Sequence, residues 1–129
     1  MKLWRPVGRK ELEKIEAAGM RAFPLRLPEQ PIFYPVLSFE YAEKIACDWN
    51  SVRDNHGFEG FVVAFEIEDA FASRYPVQIA GGVDCKELWV PAAELEDFNG
   101  HILGLIEVVA TYRNGARIGI ARAEEANDA

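Results

Sequence analysis

The sequence predicts a single α+β domain, and three observations carry that prediction. Short apolar runs recur along the chain, most clearly at 61–67 and 101–112, and they read as strands. Between them lies one strong helical stripe, Tyr41, Ala42, Ile45, Ala46 and Trp49, with Glu40, Glu43, Lys44 and Asp48 on the other faces. The 129 residues contain no internal repeat and no second composition regime, and a chain of this length builds one core. About six short strands, two main helices and two small ones imply a bent sheet, mixed or mostly antiparallel.

Residues 2–7 read as the first strand, with Leu3, Arg5 and Val7 on one face and Trp4 on the other. Pro6 marks that strand as an edge or as close to its end. Residues 9–18 are helical through Leu12 and Ile15, and Gly19 is placed for a left-handed cap. A brief strand over 20–23 is expected next. Pro24, Pro28, Pro31 and Pro35 exclude helix from the following stretch, within which 32–37 is apolar and aromatic enough to be extended. Ser38 is placed to cap a helix over 39–50. The polar, glycine-flanked segment 50–60 reads as a mobile loop. Beyond it the pattern predicts a strand at 61–67, a helical turn over 69–74 and a strand over 76–80 ended by Gly81-Gly82. A strand at 86–90, a short helix at 92–98 stopped by Asn99-Gly100 and a final core strand at 101–112 complete the domain. The domain is thus expected over 1–112, with the polar, Ala-rich residues 113–129 as a frayed C-terminal tail.

A content of 50% hydrophobic and 27% charged residues excludes a disordered or fibrous chain. The formal net charge is −7, which argues against nucleic-acid binding by bulk electrostatics, since that mode needs many bases on phosphates. The charge is unevenly spread. Residues 1–30 carry seven bases and four acids, net +3, and the remainder carries seven bases and seventeen acids, net −10. A basic first quarter on an acidic body favours a small anionic ligand or an acidic partner there, or reflects solvated helix-face charges. Cys47 and Cys85 are too few for a disulfide framework or zinc motif, and Cys47, on the apolar side of the long helix, reads as a buried reduced thiol. The N-terminal residues lack an apolar signal region, and no run approaches the roughly 18 apolar residues of a membrane span. The expectation is a cytoplasmic protein with no membrane partner.

Motifs exclude several chemistries. G-x-G-x-x-G and Walker loops are absent, and His56 and His101 lie far apart without metal-ligand spacing, so no metal is expected. No G-x-S-x-G elbow surrounds Ser38, Ser51 or Ser73. His56, in a polar loop, reads as solvated. Four polar residues on apolar segments remain. Arg5, in Leu-Trp-Arg-Pro-Val, suits bidentate phosphate recognition or an ion pair with a neighbouring acid. Tyr34 can stack on a flat heterocycle or belong to the core. Ser38 is most simply the helix cap. Glu87, at a strand mouth after Gly81-Gly82-Val83-Asp84, can orient a ribose or stabilise a developing cation, or is a surface charge.

The order of these features resembles the ADP-ribosyltransferase-like fold. Arg5 lies on a first strand followed by Glu11-Leu12 in a helix. An extended segment then runs into Tyr41-Ala42-Glu43-Lys44-Ile45-Ala46, and Glu87 precedes Val90-Pro91 and an Ile-rich strand. The segments Leu3 to Val7, Arg26-Leu27-Pro28, Gln30 to Leu37, Tyr41 to Asn50 and Glu87 to Pro91 also look like small bacterial proteins labelled ADP-ribosylation/crystallin-like. The resemblance implies NAD as substrate in a cleft where Arg5 holds phosphate or ribose and Ser38 supports that site. It further implies that Tyr34 stacks near nicotinamide and that Glu87 is the catalytic carboxylate on the nicotinamide ribose. The implied ligand is NAD or ADP-ribose, and the implied activity is mono-ADP-ribosyl transfer. The alternative is a non-catalytic acidic interaction module of immunity or antitoxin type. There the acidic body, including Glu94-Leu95-Glu96-Asp97, meets a basic protein partner.

Overall fold

The segment Glu59–Ile67 (β3) is buried on both faces from Phe61 to Phe65, and the rest of the chain is arranged around it. The computed structural model describes residues 1–27 and 29–120. Before β3 come β1 (Lys2–Gly8), α1 (Arg9–Ala17), β2 (Ile32–Phe33) and α2 (Phe39–Asp48). After it come α3 (Asp69–Ala72), β4 (Gln78–Ile79), β5 (Lys86–Glu87), β6 (Val90–Pro91), α4 (Leu95–Gly100), β7 (Ile102–Arg113) and β8 (Ala116–Ile120). The fold is α+β. Its main sheet has the order β1-β3-β7-β8, and every pair in it is antiparallel.

Two hydrophobic layers fix this arrangement. On one face Leu3 and Val7 of β1 sit opposite Phe65 and Phe61 of β3 and pack with Leu12 and Ile15 of α1. Phe23, Phe33 and Phe98 complete that layer, with the Phe23 ring 4.9 Å from both Phe33 and Phe65. On the other face Ala42 and Ala46 of α2 cover Val62 and Ala64. This second cover is why β3 is buried throughout rather than in alternation. The approach of helix to strand is close, since a Cβ on Gly60 would lie 2.2 Å from the Ala46 carbonyl oxygen. Ser38 caps α2 by accepting the Tyr41 N–H at 3.1 Å, as its placement predicts.

The outer edge of β1 carries a narrow bridge instead of a full strand. Trp4 and Val36 exchange backbone hydrogen bonds of 3.0 and 2.8 Å, and Val36 also bridges Glu87. Leu88 donates to the Pro35 carbonyl and Leu37 to that of Lys86. One residue thus stitches β5, itself paired with β4, onto β1. Alternate residues of a strand address the same edge, so the Pro6 nitrogen faces the side of this bridge, beyond its end, and no ladder bond is lost.

Several expectations are corrected. Residues 20–23 form no strand, because the Asn99 side-chain amide takes the place of a partner: it accepts from Phe23 N–H at 2.9 Å and donates to the Phe23 carbonyl at 3.0 Å. Segment 50–60 is a packed pair of 3₁₀ turns, Asn50–Val52 and Asp54–His56, instead of a mobile loop. Asn50 and Ser51 are buried there, and Ser51 Oγ donates to Cys47 O and accepts from Gly115 N–H. The expected strand at 86–90 divides, since β5 pairs with β4 while β6 pairs with β2. Residues 113–120 are not a tail: β7 turns at Asn114-Gly115, both with positive φ, and returns as β8. The domain therefore extends past 112, and the expectation for 121–129 lies outside the described residues. Cys47 is a free thiol but only half-buried, its Sγ 3.3 Å from Gly115 O. Among the described residues no helix is long and apolar enough to cross a membrane.

Replacing the amide that substitutes for a strand tests its contribution. Asn99→Ala removes two hydrogen bonds and leaves the Phe23 backbone unpaired, an expected loss of about 1–3 kcal/mol in urea unfolding. A change below about 0.5 kcal/mol would mean that water replaces the amide.

Candidate functional site

Past the Trp4–Val36 bridge, the edge of β1 borders a cleft of about 680 Å³. Arg5 and Pro6 of β1, Glu11 of α1, Arg26, Tyr34, Glu87 and Trp89 line it. Ile45, Trp49, Asn50, Asn55 and His56 close the far end. Arg5, Tyr34 and Glu87 therefore share one cleft. The cause is the Val36 bridge: two inter-strand steps of roughly 4.8 Å set the β1 and β5 backbones about 10 Å apart.

Arg5 is 8% exposed, between Leu3 and Val7. A cation so buried needs a partner, and Glu11 supplies it: Nε and Nη2 donate to its two carboxylate oxygens at 2.6 and 3.0 Å. Nη1 lies 3.4 Å from the Tyr34 carbonyl oxygen, and the guanidinium sits 4.7 Å from the centre of the Phe33 ring. The ion-pair alternative is the one realised.

Glu87 is also 8% exposed, so it is no strand-end surface charge. Its Oε2 accepts from Tyr41 Oη at 2.9 Å and its Oε1 from Trp89 Nε1 at 2.7 Å. Both donors are neutral. Among the described residues Glu87 has no ion pair, so its negative charge is oriented without being cancelled. Tyr34 stands at the mouth, 40% exposed, with its ring edge-on to Trp89 at 6.4 Å, outside the core. Ser38 is not brought to the cleft, and its hydroxyl serves α2 as cap.

Other lining residues were hidden in sequence. The α2 stripe mixes two roles: Ala42 and Ala46 pack on the sheet, while Ile45 and the 45% exposed Trp49 face the cleft. His56, expected to be solvated, is half-buried and lies 5.0 Å from the Trp49 ring. Burial lowers its pKa below the ordinary imidazole value. Gly8 makes room for it, since a Cβ there would lie 2.0 Å from His56 Nδ1. Asn50 is 4% exposed and its side-chain oxygen has no hydrogen-bond partner. The Nε of the half-buried Arg26 is likewise buried and unpartnered. Burial, followed by the charge of Arg5, holds the Arg26 guanidinium below its ordinary pKa.

The cleft therefore combines one guanidinium without an ion pair among the described residues, an oriented carboxylate and aromatic surfaces. That combination suits a ligand with an anionic part and a centre where positive charge develops. No group of three or more His, Cys, Asp or Glu among the described residues is arranged to hold a metal ion. The chain matches no protein-family model, no curated protein and no solved structure.

The Tyr41–Glu87 contact has a pH signature. Burial, with the hydrogen bond and charge of Glu87, pushes the Tyr41 pKa from 10.0 up to about 12. A raised folded value means that folding favours the protonated phenol, so this contribution is full below pH 10 and is lost as pH rises through 12. Tyr75 and Tyr112, bonded to Glu94 and Glu43, shift the same way, so a difference measurement is needed. Tyr41→Phe is expected to remove one phenolate step near pH 12 from an ultraviolet titration and to flatten the decline in stability between pH 10 and 12. Loss of a step centred near pH 10 instead of near 12 would exclude the assignment.

Proposed function

We propose that the chain is an ADP-ribosyltransferase-like protein that takes NAD or ADP-ribose in this cleft and cleaves the nicotinamide glycosidic bond of NAD. One observation carries the reading: Arg5, Tyr34 and Glu87 line a single cleft. Glu87 is there as a carboxylate held by two neutral donors.

The chemistry asked of the chain is limited. As the bond between ribose C1′ and the pyridinium nitrogen breaks, the electron pair leaves with nicotinamide, which becomes neutral. Positive charge then develops on the ribose. A fixed carboxylate in a site of low dielectric stabilises that charge more in the transition state than in the ground state, which is the requirement for catalysis. An acceptor then attacks C1′ and gives up its proton. Tyr34 and Trp89 offer ring faces and edges beside Glu87 for a planar heterocycle. Arg5, tied to Glu11 through two contacts, lines the cleft and holds the Pro-rich segment in place.

Calorimetric titration with NAD and ADP-ribose, on wild type and Glu87→Gln, tests this reading together with chromatographic detection of nicotinamide. Both ligands are expected to bind wild type, and the variant should keep NAD affinity within a few-fold while nicotinamide release falls about 100-fold or more. Absence of binding by both ligands would overturn the reading and favour the interaction module. Glu94 would keep its negative charge in that module, since the Tyr75 hydroxyl that its carboxylate accepts at 2.6 Å is neutral. Its acidic face would rest on the exposed Glu96 and Asp97.

A further inference from the structure

We infer that Arg26, rather than Arg5, is the anion contact of the cleft, and that the group it receives is a phosphate of a small organic ligand. The inference rests on the functional reading above only in taking the cleft as a ligand site. It holds for any phosphorylated ligand, NAD or another.

The two arginines differ in what their donors already do. Arg5 gives Nε and Nη2 to Glu11 and directs Nη1 at the Tyr34 carbonyl, so its charge is cancelled inside the protein. Arg26 lines the same cleft and has no ion pair among the described residues, and its Nε is buried with no acceptor. A guanidinium has five N–H donors and stays charged at neutral pH even where burial lowers its pKa. Nearby Arg5 opposes that charge and Glu11 supports it, but Glu11 already has both oxygens on Arg5. What Arg26 lacks is an acceptor with negative charge, and Glu11 cannot supply one without breaking the Arg5–Glu11 pair.

A second orphan shares the lining. Asn50 is 96% buried and lines the far end beside Trp49 and His56, and its side-chain oxygen has no donor. A ligand that pairs with Arg26 presents phosphate oxygens to the guanidinium, with a planar group suited to the aromatic rings that share the lining with Asn50. A nucleotide has this chemistry, and guanidinium binds phosphate through paired donors.

Inorganic pyrophosphate is the probe for the anion contact. In ¹H–¹⁵N spectra of the full chain, the Arg26 Nε–Hε resonance, assigned by its loss in Arg26→Lys, is expected to move saturably on titration. Calorimetry should show pyrophosphate binding at least tenfold weaker in Arg26→Gln, with Arg26→Lys between the two. Absence of a saturable shift in wild type would overturn the inference without any appeal to a variant. Equal pyrophosphate binding by wild type and a folded Arg26→Gln would do the same. If pyrophosphate binds through Arg26 while NAD and ADP-ribose do not bind, the functional reading falls and this one stands. If NAD binds wild type and Arg26→Gln equally, the reverse holds.

Discussion

A guanidinium buried between Leu3 and Val7 must be neutralised where it stands, and the Arg5–Glu11 pair on which the cleft depends follows from that requirement. Glu11 lies three residues beyond Gly8, where β1 ends and α1 begins, so the chain turns sharply enough to bring the helix back over the strand. The same guanidinium holds the Phe33 ring and the Tyr34 carbonyl, which seats the Pro-rich segment against β1. A second bidentate pair, Arg9 with Glu59 at 2.9 Å for both contacts, ties the start of α1 to the start of β3 and keeps the Glu59 carboxyl below its usual range. Removing Glu11 alone would leave Arg5 as a buried ion without a partner, whereas the more exposed Arg9 shares Glu59 with Arg113.

What the sequence made legible was encoded locally. Ser38 as a cap, Gly19 after α1 and the apolar run of β3 each depend on a few adjacent residues, and each appears as expected. The segments that escaped depend on distant partners. Phe23 is held by an amide 76 residues away, and residues 86–90 divide because two different strands claim their halves. The last hairpin had its signal in Asn114-Gly115, a pair suited to a turn with positive φ. It was obscured because the alternation of Ala116, Ile118 and Ile120 with Arg117 and Gly119 spans only five residues and runs into a polar, Ala-rich sequence.

The cleft divides the same way. Arg5 and Glu87 stood out as charged residues on apolar strands, and Val36 bridges their two strands in space. Arg26 and Asn50 could not be singled out, because what distinguishes them is a missing partner, which exists only once the chain has folded. Trp49 was visible at the end of the α2 stripe, but a 3.6-residue period does not say whether the margin of the stripe meets the sheet or an opening.

The uneven charge along the chain acquires a spatial meaning here. Arg5, Glu11 and Arg26 come from the first 30 residues, net +3, and Glu87 from the net −10 remainder, so the cleft lies on the seam between them. A phosphorylated ligand approaches a molecule of net charge −7, and beyond one Debye length, about 8 Å at physiological salt, that repulsion is largely screened. Within the cleft the balance reverses, because the interaction with a partly buried guanidinium is screened far less than the field of exposed acids. On the proposed reading the acidic total is therefore largely screened during encounter, and Arg26, without an ion pair among the described residues, would govern what stays.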